Sequence, residues 1–336
     1  MIITQTPFRM SFFGGGTDFP EFFREYGGAV ISTTFDKYCL VNVRHLPPFF
    51  EYSSEIVYSK MERVKNVDEI EHPAVREAMK YLDMHDLRVT YEADLPARSG
   101  LGTSSSFAVG MLQAFYALKG KFADKKSLAK DAIYLERELC REAGGIQDQI
   151  AVAYGGLNRI NFSEDDFEVE PIIIAPERKK KLNDNLMLFF TGFSRFSSGI
   201  AKSQQKVIQE KKTTQLLEML TLVDEAQKIL TSSGDLNAFG ELLDYTWKLK
   251  RTVTDNITND SIDSLYQRGI RAGALGGKLL GAGGGGFLLF YVEEDKQERV
   301  KEEMRDLLYV PFHFENGGTR VLHYTPESYE ERSGKS

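Results

Sequence analysis

Apolar residues recur with strand-like spacing at Ile2–Arg9, Ala29–Phe35, Cys39–His45 and Leu87–Glu92. In the last of these, Leu87, Val89 and Tyr91 face one way while Arg88, Thr90 and Glu92 face the other. The pattern predicts strands of a mainly antiparallel or mixed sheet. Helical spacing falls between them. Pro20–Tyr26 carries proline in its first turn and stops at Gly27-Gly28, and Pro73–Leu82 starts in the same way. Ser104–Leu118 and Lys125–Ala143 read as longer amphipathic helices, the second ending at Gly144-Gly145.

The charged segment Ala175–Asn185 interrupts this texture and predicts a boundary, dividing the chain into residues 1–180 and 181–336. After it come a strand at Leu186–Phe190 and helical patterns over Ser198–Ser232, Leu236–Lys250 and Ser261–Ala274. Strands are expected near Lys278–Leu280 and Phe287–Val292, then a helix over Glu294–Leu308 and short strands at Val310–Phe314 and Thr319–Tyr324. Helices gathered on one side of a small antiparallel sheet make the fold class α+β.

The 336 residues suit about two domains, and 27% charged against 42% hydrophobic residues is the balance of a globular chain. A net charge of -7 opposes non-specific binding to nucleic acid or to an anionic membrane, so neither is an expected partner. With only Cys39 and Cys140, no disulfide framework can be written, which fits a reducing compartment. The five histidines show no metal-ligand spacing, so no structural zinc is expected. Arg9 and Asp18 spoil any secretory signal, and no apolar run reaches the ~18 residues of a membrane helix. A cytoplasmic location follows as an expectation. The pattern leaves oligomeric state open.

Candidate chemistry concentrates in three glycine-rich stretches: PFRMSFFGGGTD (7–18), PARSGLGTSSS (96–106) and GAGGGG (281–286). In the middle one a strand runs through a glycine loop into a helix start. Unpaired backbone N–H groups and the helix dipole make such a start an anion site, and Gly100 and Gly102 allow a phosphate to approach the backbone. Hydroxyls at Thr103, Ser104, Ser105 and Ser106 add donors and a possible metal ligand; one of them is expected to cap the helix. The loop is not a Walker A motif, which requires a lysine after the last glycine. GAGGGG satisfies GxGxxG, but a strand pattern follows it where a dinucleotide fold needs a helix. Neither a protein-kinase HRD or DFG tripeptide nor a GxSxG elbow occurs.

Two carboxylates stand out beside these loops. Asp148 lies in the uncharged stretch GGIQDQ, which suits a carboxylate aimed into a shaped site or a loop-capping one. Glu136 flanks the apolar stripe of its helix, about 80° from Leu128 at ~100° per residue, either solvated or half-buried and aimed at a cation.

Taken in this order, PFRMSFFGGGTD, PARSGLGTSSS and KLLGAGGGGFLLF, with GGIQDQ between the second and third, resemble the three signature motifs of the GHMP small-molecule kinases. Within that family, the GGGTD opening, LFFTGFSR (188–195) and the length resemble the branch acting on D-glycero-D-manno-heptose 7-phosphate. The resemblance implies a ribosomal-protein-like N-terminal domain, a ferredoxin-like C-terminal domain and a site in the cleft between them. It implies ATP and Mg2+ as cofactors and a small sugar phosphate as partner, phosphorylated at its anomeric hydroxyl. Another sugar, such as fucose or another hexose, and a catalytically silent sensor of ATP and sugar remain open.

Carried over by position, Pro96 and Ser99 to Ser106 (Ser99, Gly100, Leu101, Gly102, Thr103, Ser104, Ser105, Ser106) would wrap the ATP phosphates. Ser104 and Glu136 would hold the metal, although Thr103 and Ser105-Ser106 stand where the family more often has Ser and Ala-Ala, so which hydroxyl binds stays open. Asp148 would be the base, with Arg9 beside it. Asp18, with Gly15, Gly16 and Thr17, would contact the sugar, Gly283 and Gly284 would support it, and Thr191, Arg195 and Lys202 are candidates near the substrate's phosphate.

Overall fold

The computed structural model describes residues 1–97, 99–192, 213–253, 257–281 and 285–326. Its first sheet is built on two long strands, β1 (Ile2–Phe13) and β2 (Gly28–His45). With β3 (Ser54–Val57), β4 (Met61–Val64) and β5 (Leu87–Ala93) it runs in the order β1-β2-β5-β3-β4. Strand β6 (Asn158–Phe162) pairs with the first residues of β2, and β7 (Phe167–Pro171) with β6. All these pairings are antiparallel except β3 with β5, so the expected mixed sheet forms. The two predicted strands at 29–35 and 39–45 are one, because β2 continues through both and changes partners along its length, β6 at one end and β5 at the other.

The helices of this half are α1 (Pro20–Tyr26), α2 (Pro73–Tyr81), α3 (Thr103–Leu118), α4 (Lys125–Tyr134) and α5 (Gln147–Tyr154). Helix α3 lies across β1 and β2. It is buried on nearly every side, which its apolar run Phe107–Leu118 permits. The predicted helix 125–143 stops being α-helical at Tyr134: Leu135–Leu139 forms a π-helical turn, an irregularity frequent at functional sites. The charged segment expected to mark the boundary forms a helix, α6 (Pro176–Asp184), started by proline in its first turn.

A second, fully antiparallel sheet follows in the order β11 (Leu308–Tyr309), β8 (Leu186–Gly192), β10 (Gly286–Tyr291), β9 (Gly276–Leu279). The helices Thr213–Thr231, Asn237–Val253 and Asp260–Ala272 belong to this part of the chain. The last two strands, β12 (Phe314–Glu315) and β13 (Arg320–Tyr324), return to the first sheet and pair with β2 and β1. Both described ends of the chain therefore lie in one sheet, and a cut at residue 180 does not follow the sheets.

One continuous core joins the two parts, running from Phe8, Met10 and Phe12 to Leu188, Phe239, Phe287 and Tyr291. Phe239 sits edge-on to Phe12 and Phe13, at centroid distances of 5.4 and 5.1 Å. The backbones also touch. Gly100 has φ +83°, and a Cβ there would lie 2.3 Å from the Leu280 carbonyl oxygen; one on Gly281 would lie 2.3 Å from Gly100 Cα. The middle and last glycine stretches thus interlock through bare α-carbons. Replacing Phe239 by alanine should cost about 3–5 kcal/mol in chemical denaturation. A loss below about 1 kcal/mol would show that the two parts do not depend on this ring pair.

Candidate functional site

A cavity of about 230 Å³ opens between the two parts, bordered by Arg9, Gly15, Asp18, Ser104, Glu136 and Asp148 among others. Each of these side chains is delivered by a local feature of the sequence. β1 alternates, so Arg9 and Ser11 share a face. At the end of β1, Thr17 closes a turn by donating its backbone N–H and its hydroxyl to the Gly14 carbonyl, at 3.0 and 2.9 Å. The turn delivers Asp18, 2% exposed, whose Oδ1 accepts from the Gly16 N–H at 2.8 Å and whose Oδ2 accepts from Gln147 Nε2 at 2.9 Å. Burial pushes the Asp18 carboxyl above its ordinary value, against the lowering effect of the Gly16 bond.

Asp148 lies in the first turn of α5, where the helix dipole favours a carboxylate. Arg9 grips it with two parallel bonds, Nε to Oδ1 at 2.8 Å and Nη2 to Oδ2 at 2.7 Å. The remaining arm of the guanidinium, Nη1, donates to the Gly100 carbonyl at 2.8 Å. One side chain therefore fixes the carboxylate against the glycine loop. Asp148 keeps 27% of its side chain exposed.

The start of α3 differs from expectation. No hydroxyl caps it; Gly102, at φ +73°, occupies the N-cap position. The serines are used elsewhere. Ser106 Oγ donates to the carbonyls of Pro7 and Gly102 at 3.0 and 2.9 Å, while Ser104 and Ser105 donate to the two oxygens of Glu136 at 2.6 and 2.7 Å. Glu136 is 4% exposed and sits in the π-helical turn, so it is neither solvated nor merely flanking. Gln149 Nε2 donates to its Oε2 at 2.5 Å. Burial outweighs these three donors and holds the carboxyl pushed up to about 7. No Lys or Arg pairs with Glu136 among the described residues.

A buried carboxylate and a hydroxyl without a cationic partner form a hard oxygen donor set that fits a small divalent ion. No cluster of three His, Cys, Asp or Glu side chains occurs among the described residues. Such an ion would share its ligands with water and phosphate, as magnesium commonly does.

Of the other residues singled out above, Gly15 and Gly16 border the cavity with Asp18. Thr17 is fully buried and occupied with the Gly14 and Ala29 carbonyls. Pro96, Ser99, Leu101 and Thr103 lie on the loop and helix start but do not border the cavity, and Ser99 is wholly buried. Thr191 is drawn away from it: its hydroxyl bonds the Gly286 backbone at 3.1 Å, both as donor to the carbonyl and as acceptor from the N–H. Arg195, Lys202, Gly283 and Gly284 lie outside the described residues.

Among the lining side chains to which sequence reasoning gave no role are Ser11, Gln147, Gln149, Lys250 and Lys278. A signal existed for three of them. The glutamines flank Asp148 in GGIQDQ, and Lys278 is a lone cation in an otherwise apolar strand pattern. Lys278 is 3% exposed and donates to the carbonyls of Ser11 and Phe12 at 2.7 and 2.8 Å, where the pairing of β1 with β2 shifts register. Burial, then Lys250 and Arg9 nearby, hold its ammonium well below its ordinary value. Nothing in the sequence marked Lys250, which comes from the helix Asn237–Val253.

Residues 65–156 match the family described as GHMP kinases N terminal domain, and residues 222–310 match GHMP kinases C terminal. A curated D-glycero-alpha-D-manno-heptose 7-phosphate kinase from Campylobacter jejuni is 28% identical over 321 residues, spanning 90% of this chain and 93% of its own. A galactokinase from Thermococcus kodakarensis is 29% identical over 273 residues, 71% of each chain. Among solved structures, a D-glycero-D-manno-heptose 1-phosphate kinase from Bacteroides thetaiotaomicron superposes with TM-score 0.78 over 96% of this chain and 99% of its own, at 23% identity. That likeness is one of fold. No described helix is long and apolar enough to cross a membrane.

The raised Glu136 carboxyl has a consequence for stability. The folded chain holds this proton more tightly than the unfolded chain, whose ordinary value is 4.5, so the contribution is complete below about 4.5 and is lost as pH rises through about 7. The loss amounts to about 3 kcal/mol without divalent ions, and Asp18 acts in the same direction. Thermal melts in a chelator from pH 4 to 8 should show Glu136→Gln flattening this slope, and added Mg2+ should stabilise the unsubstituted protein more at pH 8 than at pH 5. Equal slopes in the two proteins would place the charge cost elsewhere.

Proposed function

Because this chain belongs to the GHMP kinases and is an ATP-dependent sugar kinase, we propose that its acceptor is D-glycero-D-manno-heptose 7-phosphate and that phosphate is transferred to the anomeric hydroxyl, giving the 1,7-bisphosphate. The observation that carries the choice of sugar is the nearly full-length match to the Campylobacter jejuni heptose 7-phosphate kinase. The product then suits nucleotide-activated heptose and surface-polysaccharide synthesis.

The proposed roles follow from the geometry. Phosphoryl transfer needs placement and charge stabilisation more than covalent help from the protein. The loop from Ser99 to Gly102 and the start of α3 offer backbone N–H donors for the nucleotide's phosphates. Mg2+, when bound, would neutralise charge on those phosphates, and Glu136 and Ser104 would hold it. Asp148 is the catalytic residue that receives the proton of the anomeric hydroxyl. That hydroxyl is more acidic than an ordinary alcohol, which suits a carboxylate base. Arg9 orients Asp148 through both oxygens and, through its bond to the Gly100 carbonyl, keeps the base in register with the loop. Asp18, its carboxylate fixed by Gly16 and Gln147, is the acceptor for the sugar's other hydroxyls.

A coupled ADP-release assay over heptose 7-phosphate, free heptose, L-fucose and galactose, with the new ester located by phosphorus NMR, tests the substrate. Clear preference for any sugar but the heptose phosphate would reject the acceptor while leaving a sugar kinase. Asp148→Asn should lower kcat by roughly 10²–10⁴ with the KM for ATP little changed; near-normal turnover would remove the base assignment. Asp18→Ala should act mainly on the sugar KM, each charge-assisted bond being worth about 1.5–3 kcal/mol. A rise confined to the ATP KM would move Asp18 to the nucleotide side.

A further inference from the structure

Lys250, the Ser11 hydroxyl and the bare α-carbon of Gly15 border the cavity but have no part in the mechanism above. Ser11 is 8% exposed, and its Oγ has no hydrogen-bond partner among the described residues. A buried hydroxyl left unpaired is costly, so its placement implies a partner that arrives with the ligand. Gly15 adds a second observation. Its backbone is not in the left-handed region, so conformation does not require glycine there. What the glycine provides is room. A Cβ on it would lie 3.8 Å from Lys250 Nζ, 3.8 Å from Gln147 Nε2 and 3.9 Å from Ser11 Oγ. Donors from β1, α5 and the helix Asn237–Val253 converge on the one point that a side chain would have filled.

Two of these donors have capacity to spare. Gln147 already serves Asp18. Lys250 has a 3.4 Å bond to the Gly281 carbonyl and forms no ion pair among the described residues, and desolvation holds its ammonium below its ordinary value. Behind Ser11 stands Lys278, spent on two backbone carbonyls. At this end of the cavity the cations Arg9, Lys250 and Lys278 face the carboxylates Asp18 and Asp148. Only Arg9 among the three is paired with a carboxylate. Lys250 and the Ser11 hydroxyl thus have donor capacity to spare beside an open point, and the chemistry that answers them is an anion rich in acceptor oxygens, such as a phosphate.

The position says which phosphate. The loop and α3 take the nucleotide's, beside Arg9 and Asp148. Ser11 lies two residues further along β1 on the same face, about 6.6 Å away at ~3.3 Å per residue. That is the span from a hydroxyl at one end of a sugar ring to a substituent at the other. We infer that Lys250 and Ser11, over the open α-carbon of Gly15, form the corner that holds the acceptor's own phosphate group. The inference rests on the sugar-phosphate reading of the acceptor. It makes Lys250, contributed by the second part of the chain, a determinant of preference for a phosphorylated sugar.

The test is the ratio of kcat/KM for heptose 7-phosphate to that for free heptose. It should fall about 10- to 100-fold in Lys250→Met and about 2- to 10-fold in Ser11→Ala. Lys250→Arg should restore part of it, while Asp148→Asn should lower both acceptors together and keep the ratio. Melting temperatures and binding of a nonhydrolysable ATP analogue establish that each variant is folded, and calorimetric titration with heptose 7-phosphate gives the same comparison without turnover. An unchanged ratio in folded Lys250→Met overturns the inference. So does an equal loss on both acceptors, which would put Lys250 on the transferring phosphoryl group. If the unsubstituted enzyme itself fails to prefer the phosphorylated sugar, the acceptor assignment falls and takes the corner with it; if it does prefer it and the variants keep that preference, only the corner is wrong.

Discussion

The three-way grip of Arg9 is the interaction on which the site depends. A guanidinium is planar and presents its donors in a fixed fork, so two parallel bonds to Asp148 set the carboxylate's plane as well as its position. The remaining bond, to the Gly100 carbonyl, ties the same rigid group to the loop expected to hold the nucleotide. A lysine could not make this joint, because a single ammonium has no plane to impose. Arg9 is itself held in β1, where its backbone N–H bonds the Leu101 carbonyl at 3.1 Å. Strand β1, the glycine loop and helix α5 are thus referenced to one side chain.

Around this joint the protein keeps ionisable groups out of water. Glu136 is pushed up to about 7 although three donors surround it, and Lys278 is held well below its ordinary value although two carbonyls receive it. Desolvation is the leading cause in both cases. The two groups differ in what they await. Lys278 is satisfied by backbone and anchors the register shift of β1, a structural task. Glu136 has donors but no cation, so it suits a metal ion brought in with the nucleotide.

The fold makes these contacts possible by packing two sheets against a shared core. Phe239 between Phe12 and Phe13 holds the second part against β1, and the Gly100–Gly281 contact lets the loops meet at backbone distance. Strands β12 and β13 then return to the first sheet. The part that supplies Lys250 and Lys278 is therefore anchored to the first sheet at both of its ends. This architecture suits a site whose two walls come from different stretches of chain.

The strands and helices follow from local periodicity, and the glycine motifs mark the loops because positive φ and close backbone approach leave few other residues possible. The residues alone also singled out Glu136, beside the apolar stripe of its helix, and Asp148, in an uncharged stretch after a glycine stop, while Arg9 and Asp18 were marked by the resemblance of the first glycine motif. Sequence reading erred where the outcome depends on neighbours distant in the chain. The reading was a continuous helix through Glu136 and a serine cap on α3, but the π-helical turn carries the glutamate to Ser104 and Ser105, and with Gly102 in the N-cap position these serines already lie inside the helix. Lys250 and the unpaired Ser11 could be found only in three dimensions. A lysine at the end of an amphipathic helix reads as solvated, and whether it faces water or a cavity is decided by what packs against it. Chemistry that rests on one residue type in one loop is written in the sequence; a site wall formed by two stretches about 240 residues apart exists only once long-range packing has brought them together.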